Sequence, residues 1–184
     1  ESQENPNGEE AQDVELLSLG ELIVGGQEGE VLSGGNGADS ITAGAGDDTL
    51  SGGDGNDFLD GGADNDTLDG GDGNDILFGQ AGDDLILTGT GGAISISGGE
   101  GNDQLVTQDG TVLSLHAGNG DDEIYNFGTI ESAYGGSGQD DFYVSANADL
   151  GDVTIYDFDL AQDELIVMHP DAETPDLSNI RLGV

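Results

Sequence analysis

Residues 34–87 read GGNGADSIT, AGAGDDTLS, GGDGNDFLD, GGADNDTLD, GGDGNDILF, GQAGDDLIL: six blocks of nine with no inserted residue. The sixth position is always aspartate: Asp39, Asp48, Asp57, Asp66, Asp75 and Asp84. The eighth is always Ile or Leu: Ile41, Leu50, Leu59, Leu68, Leu77 and Ile86. A flexible Gly/Asp linker has no reason to hold an apolar side chain in phase, so the period marks stacked repeats. The glycines at the head of each block allow a turn that a Cβ forbids. Such a turn exposes carbonyl oxygens, and the aspartate adds an anionic oxygen at its edge. A hard cation such as Ca²⁺ takes six to eight oxygens at about 2.3–2.6 Å and accepts this mixture. The last three residues of a block make a short strand with one inward apolar side chain. One strand cannot bury that side chain alone, so the blocks must stack.

Written as GGxGxDxUx, the block resembles the nonapeptide of RTX (haemolysin-type) calcium-binding proteins. The resemblance implies an all-β fold, a right-handed parallel β-roll (an RTX β-helix) stacked on Ca²⁺ ions. Two consecutive blocks make one turn, so blocks i and i+2 lie about 4.8 Å apart, the ordinary strand spacing. Each ion then sits between two vertically adjacent turns. Asp48, Asp66 and Asp84 form one metal ladder, and Asp39, Asp57 and Asp75 the other. Backbone carbonyls, Gly53, Gly55, Gly71 and Gly73 among them, complete the ligand sets. The inward residues stack as Leu50–Leu68–Ile86 on one sheet and Ile41–Leu59–Leu77 on the other. Asp64 stands in a glycine position, which predicts a distorted turn without loss of its site.

Working outward, residues 25–33 (GGQEGEVLS) keep the phase with Glu30 in place of aspartate, a degenerate opening rung. Residues 14–24 gather Leu16, Leu17, Leu19, Leu22, Ile23 and Val24 and read as a lid over the first strand edge. Residues 1–13 are acidic and nearly free of apolar side chains, a disordered tail or linker. Beyond Leu87, good blocks return at Gly98, Ala117 and Gly135, with Asp103, Asp122 and Asp140 as ligands and Leu105, Ile124 and Phe142 as core. Comparison at a spacing of 18 from Asp75 meets Ala93, Thr111 and Thr129. One ladder therefore runs the whole roll and the other ends at Asp75. About five ions on one edge and two on the other, about seven in all, follow from an ion between each pair of liganding turns. Either the calcium-free turns close on Ser/Thr hydrogen bonds, or Thr88, Thr90, Gln108, Thr111, Asn126, Phe127 and Thr129 make an exposed polar face for a partner.

The β-roll is expected over 34–143 and a cap with a secretion-signal region over 144–184. Residues 153–167, VTIYDFDLAQDELIV, alternate apolar and polar, which predicts a C-terminal β-hairpin cap. Ile155, Asp157, Phe158, Asp163, Leu165 and Val167 resemble the carboxy-terminal region of serralysin-type RTX domains; Ala161 stands where that pattern has glycine. That resemblance implies export by type I secretion machinery.

Forty acidic residues face one basic residue, for a formal charge of −39. Nothing here neutralises phosphate, which excludes nucleic acid. Cysteine is absent, so disulfides and thiolate chemistry are excluded. No apolar run is long enough for a membrane-spanning helix. The chain opens on Glu1 and shows no signal peptide, which reads as a processed chain or one cut from a longer one. No HExxH zinc motif is present, and the two histidines, His116 and His169, lie far apart and read as surface residues. The expectation is a non-catalytic, monomeric module, secreted, that folds on Ca²⁺. The alternatives are the C-terminal domain of a secreted protease or other enzyme, and a glycan- or surface-binding adhesin module acting through the calcium-free edge.

Overall fold

The computed structural model describes residues 20–108, 110–145, 153–168 and 180–183. Every element is a strand. In chain order they are β1 (Leu22–Val24), β2 (Val31–Asn36), β3 (Ser40–Ala45), β4 (Thr49–Asp54), β5 (Phe58–Ala63) and β6 (Thr67–Asp72). Then come β7 (Asp75–Ala81), β8 (Leu85–Leu87), β9 (Gly92–Glu100), β10 (Gln104–Thr107), β11 (Thr111–Asn119) and β12 (Glu123–Asn126). The last are β13 (Thr129–Ile130), β14 (Ala133–Ser137), β15 (Asp141–Ser145), β16 (Val153–Ile155), β17 (Glu164–Met168) and β18 (Ile180–Leu182).

Successive strands fall on alternate sheets, except that β13 and β14 share one. One sheet runs β1-β3-β5-β7-β9-β11-β14-β16-β18, with β13 also beside β11; the other runs β2-β4-β6-β8-β10-β12-β15-β17. All recorded pairings are parallel, as a solenoid of stacked turns requires. The eighth position of each block supplies the core. On one sheet Ile41, Leu59, Leu77, Ile96, Leu115 and Ala133 lie in line, and on the other Leu50, Leu68, Ile86, Leu105, Ile124 and Phe142. All are buried. From β3 to β8 each strand buries one large apolar side chain, so the core there is a thin double column; later β11 buries Val112 with Leu115, and β15 Phe142 with Val144. The charge and polarity lie in the turns at its two edges.

The structure corrects two expectations. The first is the register beyond Leu87. Asp75 pairs with Ala93, but Ile76 pairs with Ser95, an irregularity that takes up one extra residue. The next turn also has 19 residues, so Ala93 pairs with Val112, and Val112 with Ile130. Thr111 and Thr129 instead continue the column of Gly92. The lost aspartate is thus replaced by buried Ala93, Val112 and Ile130, not by threonines. The second is the hairpin. β16 lies beside β14 on one sheet and β17 beside β15 on the other, both parallel. Alternation of apolar and polar residues is the same for a hairpin as for two successive rungs. The core decides it, because Ile155 and Leu165 each extend a different apolar column. At the other end Leu22–Val24 is a strand in register with Ser40–Thr42. The tail over 1–13 and the rest of the expected lid, Leu16, Leu17 and Leu19, lie outside the described residues, as do 146–152, 169–179 with His169, and 184.

Candidate metal centre

The turns are held open by backbone geometry. Gly53 and Gly55 have φ of 105° and 149°, and Gly71 and Gly73 have 93° and 148°, a region that side chains rarely enter. Asp64, in a glycine position, adopts φ 77°, and its Oδ2 accepts the Gly46 amide at 3.1 Å. The turn survives with a carboxylate bound to the backbone below it. The carbonyl oxygens of Gly53 and Gly55 lie against Gly71 and Gly73 of the next turn, in the gap between turns.

Each sixth-position aspartate uses its two oxygens differently. Oδ1 accepts the backbone N–H of the equivalent residue one turn earlier. In the long ladder Asp48 donates to Asp66 at 2.8 Å, Asp66 to Asp84 at 2.8 Å, and Asp84 to Asp103 at 2.9 Å. Asp103 then donates to Asp122 at 2.8 Å and Asp122 to Asp140 at 3.2 Å. In the short ladder Asp39 donates to Asp57 at 2.8 Å and Asp57 to Asp75 at 2.9 Å. Oδ2 points the other way. In Asp39, Asp48, Asp57, Asp66, Asp75, Asp84, Asp103 and Asp122 it is buried and accepts no hydrogen bond. A buried anionic oxygen left unpaired is too costly to be a structural habit. Eight of them in two files are what a row of cation sites presents.

The first glycine of the block makes the room. A Cβ on Gly34, Gly52, Gly61, Gly79, Gly98 or Gly135 would overlap Oδ2 of the aspartate five residues on. On Gly70 it would stand 2.6 Å from Asp75 Oδ2 and 3.0 Å from the carbonyl oxygen of Thr88 in the next turn. The carbonyls of Gly98 and Ala117 stand likewise 2.8 Å and 2.6 Å from a Cβ on Gly79 and Gly98. Carboxylate and first-position carbonyl therefore border one small volume. Blocks AGAGDDTLS and AGNGDDEIY already carry a methyl there, Ala43 and Ala117, which narrows the sites of Asp48 and Asp122. No group of three or more acidic or histidine side chains gathers at one point among the described residues. A bound cation thus takes most of its oxygens from backbone, which suits Ca²⁺.

Burial pushes these carboxyls up. Asp66, Asp75, Asp103 and Asp140 rise to about 6, and Asp84 and Asp122 to about 7. Desolvation is the first cause in each; the ladder hydrogen bond opposes it, and neighbouring carboxylates add to it. Without a cation the fold resists ionising the groups that line its turns.

The edge that lacks the aspartate is built from different residues in the second half. Where Gly52 and Gly70 stand in the first half, the second half has Thr88, Thr107 and Asn126, all buried. Thr88 Oγ1 accepts the Gln108 amide at 3.0 Å; Thr107 Oγ1 donates to Asn126 Oδ1 at 2.9 Å, which also accepts the Gly128 amide at 3.0 Å. Side-chain hydrogen bonds close these turns. Thr88 and Asn126 therefore leave the expected polar face, while Thr90, Thr111 and Phe127 are exposed and Gln108 and Thr129 half-buried.

Three features went unread in the sequence. The fifth position forms a second ladder outside the first: Asp47 Oδ1 accepts the Asn65 amide at 3.1 Å, Asn65 Oδ1 that of Asp83 at 2.7 Å, and Asn102 Oδ1 that of Asp121 at 2.8 Å. Its signal was there, since this position is Asn or Asp in most blocks. Asp163 is the last rung, its Oδ1 accepting the Asp140 amide at 3.2 Å, but its Oδ2 accepts the Asp159 amide at 2.7 Å. Asp157 caps the opposite edge by accepting the amides of Gly135 and Gly136 at 2.9 and 3.0 Å. The triplet Asp163–Glu164–Leu165 repeats the D-x-U of a block and could have shown the rung.

Four stretches of the chain, 24–59, 51–86, 60–94 and 86–111, match the family model of the RTX calcium-binding nonapeptide repeat. No curated protein matches the chain.

Proposed function

We propose that this chain, whose residues 24–111 are RTX repeats that bind Ca²⁺ in a parallel β-roll, is a non-catalytic module that folds on calcium outside the cell. The observation that carries the reading is the double file of eight buried, unpartnered Oδ2 atoms. The module holds about seven ions, five in the long ladder and two in the short, one between each pair of liganding turns. Asp39, Asp48, Asp57, Asp66, Asp75, Asp84, Asp103, Asp122 and Asp140 supply the charge, and turn carbonyls the remaining oxygens. The ion neutralises carboxylates that burial and mutual repulsion otherwise oppose, so its binding energy becomes folding energy. Extracellular modules of this kind bind at about 10⁻⁴–10⁻³ M, which keeps the chain unfolded in a calcium-poor cytosol and folds it in millimolar calcium. The parent protein, on this reading, is exported by type I secretion. One Ser–His contact, Ser114 Oγ to His116 Nδ1 at 3.3 Å, lies exposed on the surface, where His116 also stacks on Tyr134 at 4.5 Å.

The test is calcium stoichiometry joined to far-UV circular dichroism. A coil in excess chelator that gains a β spectrum on binding about seven ions supports the proposal. A β spectrum that persists in chelator overturns calcium-driven folding.

A further inference from the structure

Outside the turns the two halves of the roll differ on the outer face of one sheet. Along the ninth position of the sheet that starts at β2, the first half presents Ser33, Ser51 and Asp69. The second half continues the same column with Leu87, Val106, Tyr125, Tyr143 and Ile166. All five are partly exposed, and Tyr125 and Tyr143 stack at 4.5 Å. The change from polar to apolar falls at one strand, β8. Two residues along each strand, a second column places Glu123, Asp141 and Glu164 directly opposite one another. Like charges in such cross-strand positions oppose pairing. Glu123 is met by the Tyr125 hydroxyl at 2.9 Å and by the Gln104 amide at 3.1 Å. Arg181, the one basic residue, lies on the other sheet, paired with Thr154. Beside the acidic column is a hollow of about 310 Å³ lined by Asp121, Asp122, Glu123, Gln139, Asp141 and Glu164.

We propose that this face, the Leu87–Ile166 stripe with its Glu123–Asp141–Glu164 border, docks a basic, aliphatic peptide segment of a partner protein. The stripe crosses five strands, about 19 Å at the ordinary strand spacing, and the two columns lie about 6.6 Å apart. A segment laid along the roll therefore meets apolar surface on one side and a row of carboxylates on the other. Charge selects the occupant. A second copy of this chain, at −39, would bring carboxylate against carboxylate, and a nucleic acid or acidic glycan would do the same. Lysine or arginine gains the carboxylates and the tyrosine rings together.

The experiment uses the full chain in 10 mM calcium and 150 mM NaCl, with a fluorescein-labelled peptide of alternating lysine and leucine as probe. Circular dichroism of each variant comes first, so that loss of calcium-induced folding is read apart from loss of binding. The triple change Glu123→Gln, Asp141→Asn, Glu164→Gln is expected to weaken binding about tenfold. The matched change Asp54→Asn, Asp69→Asn, Asp72→Asn in the first half is expected to weaken it less than twofold. Tyr125→Thr with Tyr143→Thr, which keeps strand-forming residues, is expected to weaken it at least fivefold and to weaken an all-lysine peptide, which lacks the aliphatic contacts, less. Equal losses from the two acidic triples would show diffuse charge attraction and overturn the proposal. So would concentration-dependent dimerisation abolished by the tyrosine changes, which would assign the face to a second copy.

Discussion

Asp66→Asn separates the two roles of the ladder, because asparagine keeps the shape of a neutral acid. Its Oδ1 can still accept the Asp48 amide, held at 2.8 Å in the native turn. What disappears is the charge on Oδ2. Burial raises the Asp66 carboxyl from 3.8 to about 6. Two units correspond to about 3 kcal/mol, and halving for solvent screening leaves about 1.5 kcal/mol by which ionisation opposes the metal-free fold. The variant is relieved of that cost. In 10 mM calcium, a site of Kd about 10⁻⁴–10⁻³ M contributes about 1.4–2.7 kcal/mol. Asp66 faces a turn on each side, so two ions are at stake, about 3–5 kcal/mol. The net loss in calcium is about 1–4 kcal/mol, while in chelator the variant gains. The effect therefore changes sign with the metal. In EDTA, titration with TMAO, an excluded osmolyte that drives burial, is expected to fold the variant at a lower osmolyte midpoint than wild type. Titration with calcium is expected to require a higher midpoint. A variant that needs more TMAO than wild type, or no more calcium, would refute the assignment of Oδ2 as a ligand.

Acid should partly replace the metal. The folded carboxyls of Asp66, Asp84 and Asp122 sit above the ordinary 3.8, at about 6 to 7. Protonation thus stabilises the fold fully below about 4, and this contribution is lost as pH rises through 6–7. Metal-stripped protein is expected to gain β signal between pH 7 and 5; an unchanged coil at pH 5 would contradict the shifts. Asp66→Ala, inside the long ladder, should raise the calcium midpoint of folding more than Asp39→Ala at the end of the short one, and equal midpoints would remove the stacking argument. Ala93→Asp should place a buried carboxylate against Thr88 and weaken folding at any calcium level. Adding Thr88→Gly should reopen the cradle and raise the stoichiometry by about one ion, as measured by equilibrium dialysis.

The fold was legible where sixth and eighth positions repeat without interruption, since each states both a turn and a core contact. From Asp39 to Ile86 the phase of the aspartates and of the apolar side chains follows from counting, and their division into two ladders and two columns from the resemblance, which sets two blocks to a turn. Counting fails at Ala93, because a 19-residue turn and an 18-residue turn read alike when glycine, alanine and threonine fill the slots. Only the opposing strand shows that Ala93 meets Val112. The same slip hid Thr88, Thr107 and Asn126 as replacements for glycine, since a polar residue in a turn reads by default as exposed. The end of the roll was misjudged for a different reason. A strand's alternation names its buried face but not its neighbour, so β16 and β17 looked like partners.

The sixth-position bonds from backbone amide to Oδ1 all point the same way along the chain. Asp48 is held by Asp66, Asp66 by Asp84, and Asp140 by Asp163. At the sixth position each coil of the spring is latched by the one that follows it in synthesis, while at the fifth position Asn65 is latched by Asp47 and Asp83 by Asn65, of the coil before. A chain cut short at any point would leave the sixth position of its final coil unlatched and that of every earlier one intact. Length could therefore be trimmed or extended by whole coils in evolution, provided that a terminal latch like Asp163, which finds its second partner in Asp159, travels with the end.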